Sequence, residues 1–341
     1  MESLKNHGRK ERLTIIAMAV ALVAGVLLSF ALGRYPISPG ETVGILLSRL
    51  FPIQPFWTER MATVLFNVRL PRILLACLVG CCLSSAGAAY QGIFQNPMAA
   101  PDILGASSGA AFGAALAILS GASTRMITLS AFFFSLLTVA LVWLLSQRAR
   151  GKKILGLVLA GIMVSSLFSA GTSFIKLVAD PTNQLPAITY WLMGSLSGAK
   201  MSDISFAIIP MLIGLIPLML LRWRINILSL GDDEARTMGV NVGRLRLIVI
   251  VSATLVTSAA VAVSGTIGWV GLVIPHLSRK LVGSNYRHLM PATMLFGALF
   301  LLLVDNISRN LFAVEIPIGI LTAFIGAPFF LHLIVKGDAR A

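Results

Sequence analysis

Between Leu247 and Ser278 lie 32 residues without one charged side chain. A straight α-helix of that length would be about 48 Å long, against about 30 Å of bilayer hydrocarbon. The run is too apolar for water and too long for one crossing, so it must break. Gly265, Gly268, Gly271 and Pro275 supply the break. They predict two spans joined by a tight turn near Ser264–Gly268, the second running to about Val282. Eight more runs are free or nearly free of charge: Leu13–Gly33, Ile73–Gln91, Ile103–Leu119, Ile127–Ser146, Ile154–Ile175, Ile204–Leu221, Leu289–Val304 and Ile316–Val335. The chain thus reads as an all-α polytopic membrane protein with ten transmembrane helices. Only 12% of its residues are charged, half the share of about 25% in soluble domains. Leu13–Gly33, with 21 uncharged residues, reads as a span, because the core of a cleavable leader is about 7–15 residues.

The net charge of +14 resides in short loops between apolar runs. With the N-terminus in the cytoplasm and ten alternating spans, 18 of the 27 basic residues fall inside and nine outside. That is the positive-inside bias. The charge therefore reports orientation in a lipid bilayer, and no nucleic-acid partner is expected. The expected organisation is one transmembrane domain over 1–341, with cytoplasmic tails at 1–12 and 336–341 and the ten-helix bundle at 13–335. Cys77, Cys81 and Cys82 sit in one apolar run without metal-ligand spacing, so no metal site is expected.

Gln95–Gly109, QNPMAAPDILGASSG, lies between two charge-free runs. Pro97 removes a backbone donor and pushes Asn96 out of helical geometry. Broken polar backbone near a bilayer persists only where protein buries it or where it lines a wet cavity. This turn is a candidate gate or substrate path. Gly80, Ser84, Ala88 and Gly92 recur every four residues on the second span, and Gly105, Gly109, Gly113 and Ala117 on the third. Small residues at that spacing let helices approach closely. Arg72 precedes a glycine turn and prolines, as Arg246 does in the second half, and the two runs start on opposite sides. The echo predicts an inverted repeat, spans 2–5 against 7–10.

No phosphate-binding loop, metalloprotease helix or catalytic triad is present, so no catalytic residue is assigned. Few ionisable residues fall at mid-membrane depth, where an ion-coupled secondary transporter, the alternative reading, would need them. Asp102 and Asp305 sit near helix ends. The chain reads as a conduit driven from elsewhere. The polar block at 229–246, SLGDDEARTMGVNVGRLR, starts a short helix with Asp232, Asp233 and Glu234, where carboxylates favour a helix N-terminus. Gly239 is placed to end it. Ala235 and Met238 are expected to give it one small apolar face for docking a cytoplasmic partner.

Five ordered segments carry a family resemblance: VRLPR (Val68–Arg72), Gln95–Ala110, LGDDEARTMG (Leu230–Gly239), SGTIGWVGLVIPH (Ser264–His276) and EIPIGILTAFIGAPFF (Glu315–Phe330). The chain resembles the permease subunits of ATP-binding-cassette importers for iron–siderophore, haem and vitamin B12, the type II importers. The resemblance implies a homodimer in a bacterial cytoplasmic membrane. It implies two cytoplasmic ATPase subunits that bind ATP and Mg, and an extracytoplasmic binding protein; the chain itself would hold no cofactor. It implies ATPase coupling through Asp232, Glu234, Ala235, Arg236, Met238 and Gly239. Docking of the binding protein would fall to Arg69, Arg72 and Arg309, and the cytoplasmic gate to Asn96, Pro97 and Met98, where Met replaces the family's Leu. A second gate element lies near Ile154–Leu155. The pathway would be lined by the fifth and tenth spans, with Met163, Ser165, Ser166, Ser169, Thr172 and Ser173 on the fifth. An iron–siderophore is the expected cargo, with haem, cobalamin or an oxyanion such as molybdate as the other candidates.

Overall fold

Apolar runs punctuated by glycine, proline and capping residues fold into helices joined by short turns. The structure is a computed structural model and describes residues 2–148 and 153–335. The 336–341 tail and most of the basic loop at 148–153 lie outside the described residues. All regular structure among the described residues is helical. The first half holds α1 (Glu2–Ala31), α2 (Pro39–Leu47), α3 (Glu59–Val64), α4 (Leu70–Ile93), α5 (Ala106–Leu119), α6 (Thr124–Arg148) and α7 (Lys153–Val178). A π-helical turn, Leu65–Arg69, joins α3 to α4. The second half holds α8 (Gln184–Leu192), α9 (Met201–Leu220), α10 (Arg222–Leu228), α11 (Asp232–Thr237), α12 (Val242–Ser264), α13 (Val270–Val282), α14 (Tyr286–Asn310) and α15 (Ile318–Val335).

Each expected span coincides with a helix. Seven helical segments among the described residues are long and apolar enough to cross a membrane: Arg9–Ala31, Glu59–Ile93, α6, Ile154–Val178, α9, α12 and α14. α5 and α13, with 14 and 13 residues, fall short of a crossing, and α15 is apolar over Ile318–His332. The 32-residue run breaks where the glycines predicted. α12 ends at Ser264, Gly265 takes a left-handed φ of 69°, and α13 ends at Val282.

α4 and α12 form the centre and are buried along most of their length, whereas α1, α6, α7 and α9 expose most of theirs. α4 packs against α13 and α14, and α12 packs against α5 and α6. α5 also packs on α6 and α7, as α13 does on α14 and α15. These pairings correspond helix for helix when spans 2–5 are laid on spans 7–10.

The small-residue stripes work inside the chain. A Cβ at Gly80 would stand 2.2 Å from the Gly297 carbonyl oxygen, and one at Gly87 would stand 1.8 Å from that of Gly271. Gly109 and Gly113 face the carbonyls of Phe134 and Ser130 on α6 at 2.5 Å each. Backbone thus meets backbone with no room for a methyl group. Hydroxyls also bridge helices: Ser84 donates to the Thr293 carbonyl at 3.0 Å across the α4–α14 seam, and Ser135 and Ser258 share a bond of 2.7 Å between α6 and α12.

Gly87→Ala is expected to destabilise the protein by about 1–3 kcal/mol through overpacking. Gly243→Ala, whose new Cβ would have only Asn241 Oδ1 nearby at 3.8 Å, is expected to be neutral or mildly stabilising. Thermal unfolding of the two purified variants in one detergent checks the contrast.

Candidate functional site

The two breaks in helical backbone meet between α4 and α12. A cleft of about 260 Å³ is lined by Leu83 from the middle of α4, by Pro101 and Asp102, by Thr257 of α12, and by Thr266–Trp269. Pro101 sits so close to Gly271 that a Cβ there would lie 2.1 Å from the proline ring. The turn before α5 satisfies its own polar groups. Gly105, at φ 78°, donates its N–H to the Asp102 carbonyl at 2.8 Å, and Asp102 Oδ1 accepts from the Ser107 N–H at 2.7 Å. On the other side Trp269 holds a left-handed φ of 69°, uncommon for a residue with a side chain. Its indole packs against Gly326 and Phe330 of α15.

Asn96, Pro97 and Met98 lie just beyond α4. Asn96 and Met98 are exposed and Pro97 half-buried. Asn96 Oδ1 accepts from the Met98 N–H at 2.9 Å, an Asx turn that replaces bonds the proline prevents. The neighbouring Gln95, at φ 51°, donates its side-chain amide to the Leu228 carbonyl of α10 at 3.1 Å. One turn earlier, Gln91 Oε1 accepts from Arg279 of α13 at 2.5 Å. Tyr286 of α14 donates its hydroxyl to the Ala88 carbonyl at 2.9 Å, and its N–H to Asn226 of α10 at 3.2 Å. The end of α4 that carries the candidate gate is thus bonded to α10, α13 and α14. The sequence reading missed Gln91, Asn226, Arg279 and Tyr286; polar residues near the ends of apolar runs were the only signal.

α11 begins with the three acids and ends where Gly239 takes φ 77°. Asp232 is bound to Arg246 of α12, Oδ1 to Nη2 at 2.7 Å, with the arginine side chain nearly buried. Asp233 and Arg236 make an exposed pair at 3.1 Å. Glu234 Oε2 lies close over Gly231. Ala235 and Met238 do not together present an exposed apolar face, a correction: Ala235 is fully buried, whereas Met238 is 59% exposed just beyond the helix end. Asp232, Arg236 and Arg246 line a cleft of about 610 Å³ together with Ile154 and Leu155 at the start of α7. The second gate element and the expected coupling helix are therefore neighbours.

At the opposite end, Arg69, Arg72 and Arg309 are brought together but not exposed. This corrects the expectation of a free docking surface. Arg72 bonds Asp305 at 2.9 Å and Glu315 at 2.9 Å. Arg309 donates to the Ser29 carbonyl at 3.0 Å and to Asn306 Oδ1. Arg69 donates to the carbonyls of Phe30 and Tyr35. The physical reason is economy of burial: α4, α14 and the end of α1 pack so closely that each guanidinium must find its acceptors inside the chain.

On α7, Met163, Ser166, Ser169 and Ser173 are exposed on one face, and Ser165 is half-buried. Thr172 corrects the expected lining. It is buried, and its hydroxyl donates to the Phe168 carbonyl at 2.9 Å.

A bundle of apolar helices with broken backbone at its centre and a polar connector at one end is the build of a polytopic membrane protein. The chain belongs to the FecCD transport family, whose profile matches residues 21–336. It is 42% identical over 322 residues to the molybdate import system permease protein MolB of Haemophilus influenzae, covering 94% of this chain and 95% of that one. It is 40% identical over 321 residues to a probable iron chelatin transport system permease protein of Helicobacter pylori, covering 94% and 97%. Among solved structures, it matches a metal-chelate type ABC transporter in an inward-facing conformation at 43% identity and TM-score 0.84, covering 94% and 98%. The protein is an importer permease of the ABC class for metal chelates or related substrates.

Arg72→Ala would leave Asp305, fully buried, without its nearest partner. A loss of about 3–5 kcal/mol is expected, as for a broken buried pair. Combining it with Asp305→Ala should recover part of that loss, and a double-mutant cycle on unfolding midpoints measures the coupling.

Proposed function

We propose that two copies of this chain form the membrane pathway of an iron–siderophore importer in a bacterial cytoplasmic membrane. Ten crossings place both chain ends and the α10–α11 connector in the cytoplasm. Each copy sits on one of two separate ATPase subunits, which bind ATP and Mg, and an extracytoplasmic binding protein delivers the chelate. The carrying observation is the Asp232–Arg246 bond, which ties the exposed helix α11 to the buried central helix α12 beside Ile154 and Leu155. ATP-driven movement of α11, through Asp232, Glu234, Ala235, Arg236, Met238 and Gly239, then reaches α12 rather than dissipating in a loose loop. The gate at Asn96, Pro97 and Met98 responds through the bonds from Gln95 to α10 and from Gln91 to α13.

The binding protein docks on the end bearing Arg69, Arg72 and Arg309. Their internal bonds fix the ends of α4 and α14, and the exposed Arg34, Arg49 and Arg60 offer charge around them. The chelate passes along α7 and α15. The exposed α7 face of Met163, Ser166, Ser169 and Ser173 carries no charge, which suits a bulky chelate with its metal enclosed. Relatives named for iron chelatin transport support that cargo, while the MolB relative makes molybdate the principal competitor.

The test is uptake into vesicles holding the chain with its ATPase and binding protein, comparing labelled ferric siderophore, haemin, cobalamin and molybdate. ATP-dependent siderophore accumulation is expected; molybdate accumulation alone would reassign the cargo. Arg246→Ala should lower substrate moved per ATP by about fivefold or more, the scale of a typical coupling energy, while basal ATP hydrolysis persists. An unchanged ratio would remove the Asp232–Arg246 pair from the mechanism.

A further inference from the structure

A cleft of about 620 Å³ opens where α9 ends, between α10 and the first turn of α14. Arg222, Trp223 and Asn226 line it from α10, and Asn285 and Arg287 from the start of α14. Leu220, at the end of α9, lines it as well. Two guanidinium groups thus flank the cleft, and none of its lining residues is acidic. Arg287 is exposed, and Arg222 is half-buried with one bond, to the Met219 carbonyl at 3.3 Å. Trp223 is half exposed, and the Arg224 guanidinium lies 5.8 Å from its ring. Tryptophan and arginine together at the end of a span are the composition of a membrane–water interface.

The apolar side of the cleft continues along α9. Leu220, Ile216, Ile213 and Ile209 follow one another at helical spacing, each between 54 and 70% exposed. Their eleven steps rise about 16 Å, roughly half of the bilayer hydrocarbon. A basic cradle therefore stands at the foot of a bare apolar stripe one leaflet deep. A free anion would need only the first part. An acyl chain with a charged head uses both.

We propose that this cleft holds the phosphate headgroup of an anionic phospholipid from the leaflet at the α10–α11 end, with an acyl chain laid along the Leu220–Ile209 stripe of α9. Arg222 and Arg287 bind the phosphate oxygens, and Trp223 marks the headgroup level. The assignment rests on the membrane reading of α9 and does not depend on the cargo. A lipid held here touches both the foot of α10 and Met238 after α11. It therefore supports the connector that the transport reading assigns to coupling.

The test uses the full chain in nanodiscs of phosphatidylcholine doped with phosphatidylglycerol, with retained lipid counted by native mass spectrometry. Wild type is expected to retain phosphatidylglycerol preferentially. Arg222→Gln with Arg287→Gln should lower that preference by about fivefold for each arginine removed. Arg125→Gln at the opposite end should leave it unchanged, and Arg222→Lys with Arg287→Lys should keep most of it. Ile213→Asn and Leu220→Asn together should weaken retention with the arginines intact. Equal retention in wild type and the double Gln variant would overturn the proposal. So would displacement of the lipid by inorganic phosphate, which would make the cleft a simple anion site. Loss of ATPase-subunit binding in the double Gln variant, with lipid preference unchanged, would also overturn it, by making the cleft a protein interface.

Discussion

Backbone that leaves the helical path inside a bilayer must find its hydrogen-bond partners in protein, and the fold is arranged around two places where it does so. The turn before α5 and the turn between α12 and α13 lie together between α4 and α12, with Pro101 against Gly271 and Asp102 capping α5. Only a centre that packs tightly can shield them. The glycines at 80, 87, 271 and 297 allow it by bringing backbone against backbone in the seams of α4 with α13 and α14.

The two central helices each carry one buried, ion-paired arginine, at opposite ends of the molecule. Arg72 ties α4 to Asp305 of α14 and to Glu315 before α15. Arg246 ties α12 to Asp232 of α11. Such pairs add little net stability over an apolar contact, but losing one partner is costly. They are better understood as devices that fix position. One sets the geometry at the end where a binding protein is proposed to dock; the other sets it where the ATPase is proposed to act. With the bonds of Gln91, Gln95 and Tyr286 around the gate, they give the bundle polar ties at both of its ends.

Much of this was legible in the chain. Charge-free runs placed the helices, the glycines of the 32-residue run located its break, and Gly239 marked the end of α11, each because local composition alone limits the conformation. The corrections share a different origin. Arg69, Arg72 and Arg309 read as outward charges because each has an acceptor far off in sequence; Arg72 and Asp305 are 233 positions apart, and Arg309 and Ser29 are 280 apart. Thr172 read as lining because its spacing from Met163 and Ser169 does not say which side of α7 faces its neighbours. Ala235 and Met238 read as one face because the helix end between them was not visible in the pattern.

By itself, then, the sequence determined that this protein lives in a membrane as a helical bundle, where its backbone breaks, and through its ordered motifs which transport family it joins. Those properties follow from hydropathy, chain stiffness and the conformational limits of glycine and proline, all local. Only the tertiary structure decided which arginines are spent inside the chain, which face of α7 is open, and which polar groups link α10 to the gate and α11 to α12. Each of those is a pairing between distant segments, fixed by how closely the helices pack.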